Sequence, residues 1–246
     1  SERDRAQLRA AEPGARVFVV ENGVDTAFYS DEQLARAHRA WLEGGRAAGA
    51  KPAGSGEVAR SPDARRERVL FVGSMDYHAN VEAVLYFGKE IWPRVREREP
   101  RLVFTVVGRT PPPEIRRLAE LPGVEVTGTV EDVRPYYAEA LAAVIPLRVG
   151  GGSRLKILEA MAAGVPVVST TLGAEGIEVR DGENIILADD AEATRDALSS
   201  LNEDEGLHQR LASGGRALVF AQYDWSSLGA RLGKVYGEIL AGRRER

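Results

Sequence analysis

The residues best suited to chemistry are concentrated between Ala143 and Thr170, AVIPLRVGGGSRLKILEAMAAGVPVVST. Gly150, Gly151 and Gly152 carry no Cβ, so their backbone N–H groups can approach a ligand closely. Ser153 follows with a hydroxyl suited to capping a helix start, and the next helix turns its positive end toward the glycines. On that helix Ile157, Leu158, Met161 and Ala162 form an apolar stripe, with Leu155 at its edge. Lys156 and Glu159 fall together on the other side. A cation in the first turn opposes the helix dipole, which is a poor place for a structural lysine unless an anion sits nearby. Loop, ammonium and carboxylate together suit a phosphate-bearing ligand. The competing interpretation is a surface Lys–Glu pair contributing a few tenths of a kcal/mol. Against it, the helix is bracketed by two strands that read as buried.

The elements that must position these groups alternate regularly from Arg68 onward. Short apolar, β-branched runs at Val69–Val72, Leu102–Val107, Val124–Thr127, Ala143–Leu147, Val165–Ser169 and Ile185–Leu187 predict strands. Helical patterns near 79–98, 112–121, 132–141, 153–163 and 191–201 separate them, with Pro93 expected to kink or split the first. Two further helices, about 204–220 and 225–241, follow. Near-continuous apolar strands indicate a parallel sheet covered on both faces, and the alternation predicts a doubly wound α/β domain. Such sheets bind ligands beyond the carboxyl ends of their strands, where the strand order reverses. Four strand-end loops carry glycine there: Gly73-Ser74, Gly108-Arg109, Gly128-Thr129-Val130 and Gly150 to Ser153. These glycines are expected to keep the rim open.

Upstream, residues 1–30 hold a charged helix-like piece to Ala11, a short strand at Val17–Val20 and an Asn22-Gly23 turn. Residues 31–67 read as a helix over 31–43 (DEQLARAHRAWLE) and a Gly, Ala, Ser and Pro-rich linker. Residues 68–246 form the main domain. The 246 residues are 43% hydrophobic and carry a formal charge of −4, with arginines scattered among acids; that argues against nucleic acid as the main partner. With no cysteine, disulfides and cysteine-ligated metals are excluded, and the three histidines show no ligand spacing. No apolar run approaches the ~20 residues that span a bilayer, and no signal peptide is visible. The expected location is cytoplasmic, compatible with peripheral attachment to the inner face of a membrane.

Several stretches, in order, resemble the nucleotide-sugar-binding half of family 4 glycosyltransferases, which have the two-domain GT-B fold. They are VVENGVD at 19–25, LFVGSMDYHANVEAV at 70–84, FTVVGR at 104–109, VEVTGTVEDV at 124–133 and PLRVGGGSRLKILEAMAAGVPVVSTTLGAEGI at 146–177. The flavour is that of bacterial polysaccharide-type sugar transferases. The resemblance implies a Rossmann-like domain binding a nucleoside diphosphate sugar, with transfer to an acceptor hydroxyl and retention of configuration. Glu159 matches the glutamate that holds the ribose hydroxyls. Gly150, Gly151, Gly152, Ser153 and Arg154 would receive the diphosphate, with Lys156 near phosphate or sugar. The backbone of Thr129 and Val130 would flank the base, and Gly73, Ser74 and Arg109 lie on loops facing the phosphates or base. Lys156 and Glu159 are the candidate catalytic pair.

Two departures stand out. The Glu-x7-Glu motif has Gly151 in its first position, and the loop after the first strand (GSMDYHAN) lacks the Arg and Lys pair that grips phosphate in many members. No Asp-x-Asp motif appears, so no metal or other cofactor is implied. Residues 1–30 look like the last elements of an acceptor-binding domain, so the acceptor, a sugar or lipid-linked glycan, is expected to bind outside this chain. Another GT-B activity, such as an epimerase, or a nucleotide-binding module without catalysis are the alternatives.

Overall fold

The computed structural model describes residues 2–44, 66–150 and 154–244. Helices α1 (Glu2–Ala11) and α2 (Asp31–Glu43) precede six strands: β1 (Arg68–Val72), β2 (Val103–Val107), β3 (Val124–Gly128), β4 (Ala140–Ile145), β5 (Val167–Ser169) and β6 (Ile186–Leu187). Between them lie α3 (His78–Tyr86), α4 (Trp92–Arg98), α5 (Pro113–Arg116), α6 (Arg134–Ala138) and α7 (Leu155–Ala162). Helices α8 (Ala191–Glu203), α9 (Glu205–Gln222) and α10 (Trp225–Arg244) follow. All five strand pairings are parallel, in the order β3-β2-β1-β4-β5-β6. This is the doubly wound α/β fold the alternation predicts, and the order reverses between β1 and β4.

Buried β-branched and aliphatic residues explain the sheet. Every residue of β2 and β4 is buried, as expected for strands covered on both faces. On one face Phe104 receives Phe87, with ring centroids 4.4 Å apart, and Trp92 at 5.8 Å. The Trp92 indole N–H donates to the Pro122 carbonyl at 3.0 Å, which satisfies its one polar atom.

Two local expectations are corrected. Val17–Val20 forms no strand; a short apolar run needs a neighbouring strand to take its hydrogen bonds, and in that region the described pairing is a single bridge between Val24 and Asp224. The helix expected over 132–141 ends at Ala138, and Ala140–Ala142 instead extend β4. Alanine favours helix locally, but pairing with Arg68 and Val69 of β1 overrides that propensity. The long helix is split at Pro93, as expected. A π-helical turn at Phe87–Ile91 precedes it, and Pro93 occupies the first turn of α4, where its missing N–H is tolerated.

The helix at Asp31–Glu43 is present, and α2 packs against α6 beside the sheet, with Trp41 and Tyr136 ring centroids 5.7 Å apart. The glycine-rich stretch after it falls largely outside the described residues. Beneath the helix lies a buried polar network. Arg68, at the start of β1, donates from Nε to Glu139 Oε2 at 2.8 Å and from Nη1 to Thr105 Oγ1 at 2.6 Å, and it also pairs with Glu125. His38 Nε2 of α2 lies 3.2 Å from the other Glu139 oxygen. Burial works against the Arg68 charge, yet Glu125 and Glu139 hold its pKa above the ordinary value. Removing the arginine of such a network leaves Glu125 and Glu139 buried without the guanidinium that offsets their charge, which costs about 3–5 kcal/mol. Arg68→Ala is therefore expected to lower unfolding stability by about that amount in urea denaturation; a loss under about 1 kcal/mol would mean that water reaches and solvates Glu125 and Glu139.

Candidate functional site

The rim at the carboxyl ends of β1 and β4 brings together groups far apart in sequence. Asn80, in the first turn of α3 and 5% exposed, donates from Nδ2 to the Ser74 carbonyl at 2.7 Å. Its Oδ1 accepts from Lys156 Nζ at 3.0 Å. Lys156 is thus drawn inward, with Nζ 5.8 Å from the centroid of the Phe71 ring. The bridge ties the loop after β1 to the helix after β4. Asn80 was not singled out from the sequence, because its partners lie 6 and 76 residues away and no spacing rule joins them.

The rim glycines are not there simply to keep it open. A Cβ on Gly108 would sit 1.9 Å from the Gly73 carbonyl oxygen, so the β1 and β2 loops touch backbone to backbone. Gly150 has φ +96°, and a Cβ there would lie 2.8 Å from the Tyr77 hydroxyl and 2.9 Å from Ala79 Cβ. Only glycine meets both the backbone and the space requirement. Gly151, Gly152 and Ser153 lie outside the described residues. The N-cap position of α7 is Arg154, without a side-chain cap, rather than Ser153. Arg154 turns into the protein: Nη2 donates to the Leu172 carbonyl at 2.8 Å, and its buried Nε has no hydrogen-bond partner among the described residues.

Ser74 and Arg109 do meet. Arg109 Nε donates to Ser74 Oγ at 3.1 Å and lies 3.1 Å from Asp76, an exposed cluster at the mouth of the rim. Arg148 in the loop after β4 is clamped by Glu82, with Nε to Oε1 at 2.9 Å, and lies 3.8 Å above the Tyr86 ring centroid. This fixes the approach to Gly150.

The electrostatics of α7 are unusual. Burial raises the Glu159 pKa, only partly offset by Lys156. Burial lowers the Lys156 pKa, the Arg154 charge adds to that, and Glu159 opposes both. Among the described residues no hydrogen bond reaches the Glu159 carboxylate. Its charge is also felt by two buried phenols, Tyr29 and Tyr137, whose pKa values burial raises and Glu159 raises further. Those rings pack edge to face at 5.8 Å. Tyr29 comes from the segment before α2, a contribution no local motif reveals. An ammonium and an unsatisfied carboxylate side by side can take an anionic group and adjacent hydroxyls.

Thr129 and Val130 make no described hydrogen bond to Lys156 or Glu159. They line a cleft of about 780 Å³ between α2 and the β3–α6 connection. Among the described residues no group of three or more His, Asp or Glu is placed to hold a metal, and no helix is long and apolar enough to cross a membrane.

Glu159 fixes the sign of a pH effect. Its folded pKa is raised, so the folded state holds the proton more tightly than the unfolded chain does. The associated loss of stability is absent below the unfolded carboxylate pKa, grows as pH rises, and is complete above the folded pKa. Glu159→Gln is expected to raise the melting temperature of the unliganded protein at pH 8, with the gain shrinking toward pH 4. An equal shift at both pH values would contradict this assignment.

Residues 66–204 match the family described as Glycosyl transferases group 1. Phosphatidyl-myo-inositol mannosyltransferase of Mycobacterium leprae is 32% identical over 177 residues, covering 70% of this chain and 46% of that protein. The chain spans about half the length of the curated relatives it matches. Sucrose-phosphate synthase from Thermosynechococcus elongatus superimposes with a TM-score of 0.71 at 22% identity, over 98% of this chain and 57% of that one. Anabaena Alr3699/HepE in complex with UDP and glucose gives 0.67 at 17% identity, over 95% and 61%. At these identities the two structures speak for the fold alone. The family match covers more than half of the chain and includes the sheet and α7 with Lys156 and Glu159, so this chain belongs to the group 1 glycosyl transferases.

Proposed function

We propose that this chain is the donor-binding portion of a retaining glycosyltransferase that uses a nucleoside diphosphate sugar, in cell-surface polysaccharide or glycoconjugate synthesis. The observation that carries the reading is the half-buried Glu159 carboxylate, free of hydrogen bonds among the described residues, beside Lys156 at the point where strand order reverses. A carboxylate there accepts hydrogen bonds from two adjacent hydroxyls, as a ribose offers. Lys156 and the backbone of residues 150–154 take the diphosphate, the Thr129 and Val130 backbone flanks the base, and Ser74 with Arg109 faces the phosphates.

In the reaction, an acceptor hydroxyl oxygen bonds to the anomeric carbon as the bond to the diphosphate breaks, and the hydroxyl proton passes to the departing phosphate oxygen. The electron pair leaves with the phosphate oxygen, so negative charge grows on the leaving group. An ammonium in a partly buried site stabilises that charge more strongly than it would in water. No metal is invoked. The acceptor, a sugar or lipid-linked glycan, is assigned to a partner domain corresponding to the other half of the curated relatives. Cytoplasmic action, where nucleotide sugars are made, fits this reading.

Glu159→Ala is expected to weaken nucleotide-sugar binding by about 1.5–3 kcal/mol, the range for hydrogen bonds to a charged group. Calorimetry showing unchanged affinity in the folded variant would sink the assignment. Lys156→Met should cost a similar amount for the nucleoside diphosphate and far less for the bare nucleoside. Equal losses for both would remove Lys156 from the phosphates. The relative named above is a mannosyltransferase and the Anabaena structure holds UDP. A thermal-shift series over GDP-, UDP-, TDP- and ADP-sugars therefore separates the nucleotides, since stabilisation follows ligand concentration over dissociation constant.

A further inference from the structure

The cleft between α2 and the β3–α6 connection, about 780 Å³, takes in the Thr129 and Val130 wall proposed to flank the base of the donor. It also lies within electrostatic reach of Glu159. Burial raises the pKa of the Tyr29 phenol, and the charges of Glu159 and of Asp132 both raise it further. One side chain thus senses the α7 carboxylate and a wall of the cleft together. Phe28 packs edge-on against Tyr29, with ring centroids 5.1 Å apart, and the Arg134 guanidinium lies 4.1 Å from the Phe28 ring centroid. The cleft adjoins the Lys156–Glu159 site, on the side where a base would lie once a ribose sits on Glu159. Its charged side chains fall into two sets. Arg134 is committed to its neighbours, Nε to Asp132 Oδ1 at 3.0 Å, Nη2 to Asp132 Oδ2 at 2.8 Å and Nη1 to Gln33 Oε1 at 3.2 Å. Arg36 on α2 and Glu131 on the β3–α6 connection are not. Both line the cleft and are exposed, and neither has a hydrogen-bond or ion-pair partner among the described residues.

An uncommitted guanidinium and an uncommitted carboxylate suit a ligand with two acceptors on one edge and two donors on another. Among the common bases guanine is built that way. Its O6 and N7 together accept from an arginine, and its N1–H and 2-amino group together donate to a carboxylate. Uracil and thymine place a single N–H between two carbonyl oxygens, which a carboxylate repels. Adenine sets one amino group beside an acceptor nitrogen. We propose that the donor carries guanine, with Glu131 accepting from N1–H and the 2-amino group and Arg36 donating to O6 and N7, so that these two residues set the nucleotide specificity. This rests on the donor reading of the Lys156–Glu159 site and adds the identity of the base. The locked Asp132–Arg134–Gln33 set holds α2 and the β3–α6 connection at a fixed spacing, which lowers the cost of ordering the cleft around a planar ring.

The test is calorimetric titration of the folded chain with GDP, UDP, ADP, TDP and inosine diphosphate, which is GDP without the 2-amino group. GDP is expected to bind about tenfold or more tighter than UDP, ADP or TDP, the discrimination that one bidentate pair provides. Inosine diphosphate should bind about tenfold more weakly than GDP, because it lacks one of the two donors to the carboxylate. Glu131→Gln should abolish that difference between GDP and inosine diphosphate and leave the UDP affinity unchanged. Arg36→Ala should weaken GDP and inosine diphosphate alike, since both keep O6 and N7. Both side chains are exposed, so neither substitution is expected to lower the melting temperature. If UDP, ADP or TDP binds as tightly as GDP, or if Glu131→Gln weakens all five nucleotides equally, the guanine assignment is overturned while Glu159 stands as the ribose ligand. If no nucleotide binds, the donor reading falls and this inference falls with it.

Discussion

The hydrogen bond from Lys156 to Asn80 joins the two halves of the sheet at the rim where the strand order reverses. Right-handed crossovers running outward in opposite directions from β1 and β4 put α3 and α7 on opposite faces, so the loops at their starts diverge and leave a crevice. Asn80 spans it, with its amide nitrogen on the β1 loop and its amide oxygen on the α7 lysine. Backbone contact between Gly73 and Gly108 then fixes the β2 loop against the same point, and the Arg148 clamp on Glu82 fixes the β4 loop. The rim is held by a few polar contacts between elements that the chain connects only through long excursions.

Holding the crevice in this way has an electrostatic consequence. Lys156 and Glu159 are both partly withdrawn from water, and burial disfavours the charged form of each. Their mutual attraction does not fully offset this. Such a site is less stable empty than a packed apolar one would be, and it responds strongly to a ligand that supplies both a negative group and hydroxyl donors. This is the usual relation between a binding site and the stability of the fold around it. Tyr29 and Tyr137 are themselves buried within range of the Glu159 charge, and burial together with that charge raises both phenol pKa values.

On the β3-β2-β1 side of the sheet the same balance is struck differently. The Arg68 network satisfies its charges internally, with His38 of α2 as one of its members. It anchors α2 over the sheet, and the anchored helix creates the cleft lined by Trp41 and Arg134. One helix that reads on paper as the start of a linker therefore becomes a wall.

Much of the fold was legible in the residues. Near-continuous Val, Ile, Leu and Ala runs alternating with helical stripes specify a covered parallel sheet, because only that arrangement buries such strands on both faces. The stripe Ile157, Leu158, Met161 and Ala162 likewise specified which side of α7 faces the core, and hence that Lys156 and Glu159 share the other side. These are local periodicities, set by backbone geometry within a few residues. What the tertiary structure alone decided depends on contacts between distant segments. The extension of β4 through Ala140 overrode alanine's helical preference by pairing with β1, and Val17–Val20 lacked a strand to pair with. Asn80 as the partner of Lys156, Tyr29 beside Glu159, Arg154 turned inward and α2 docked on α6 have no sequence spacing to announce them. Periodicity sets what each element buries; which buried or polar groups then meet is settled only when the elements close on one another.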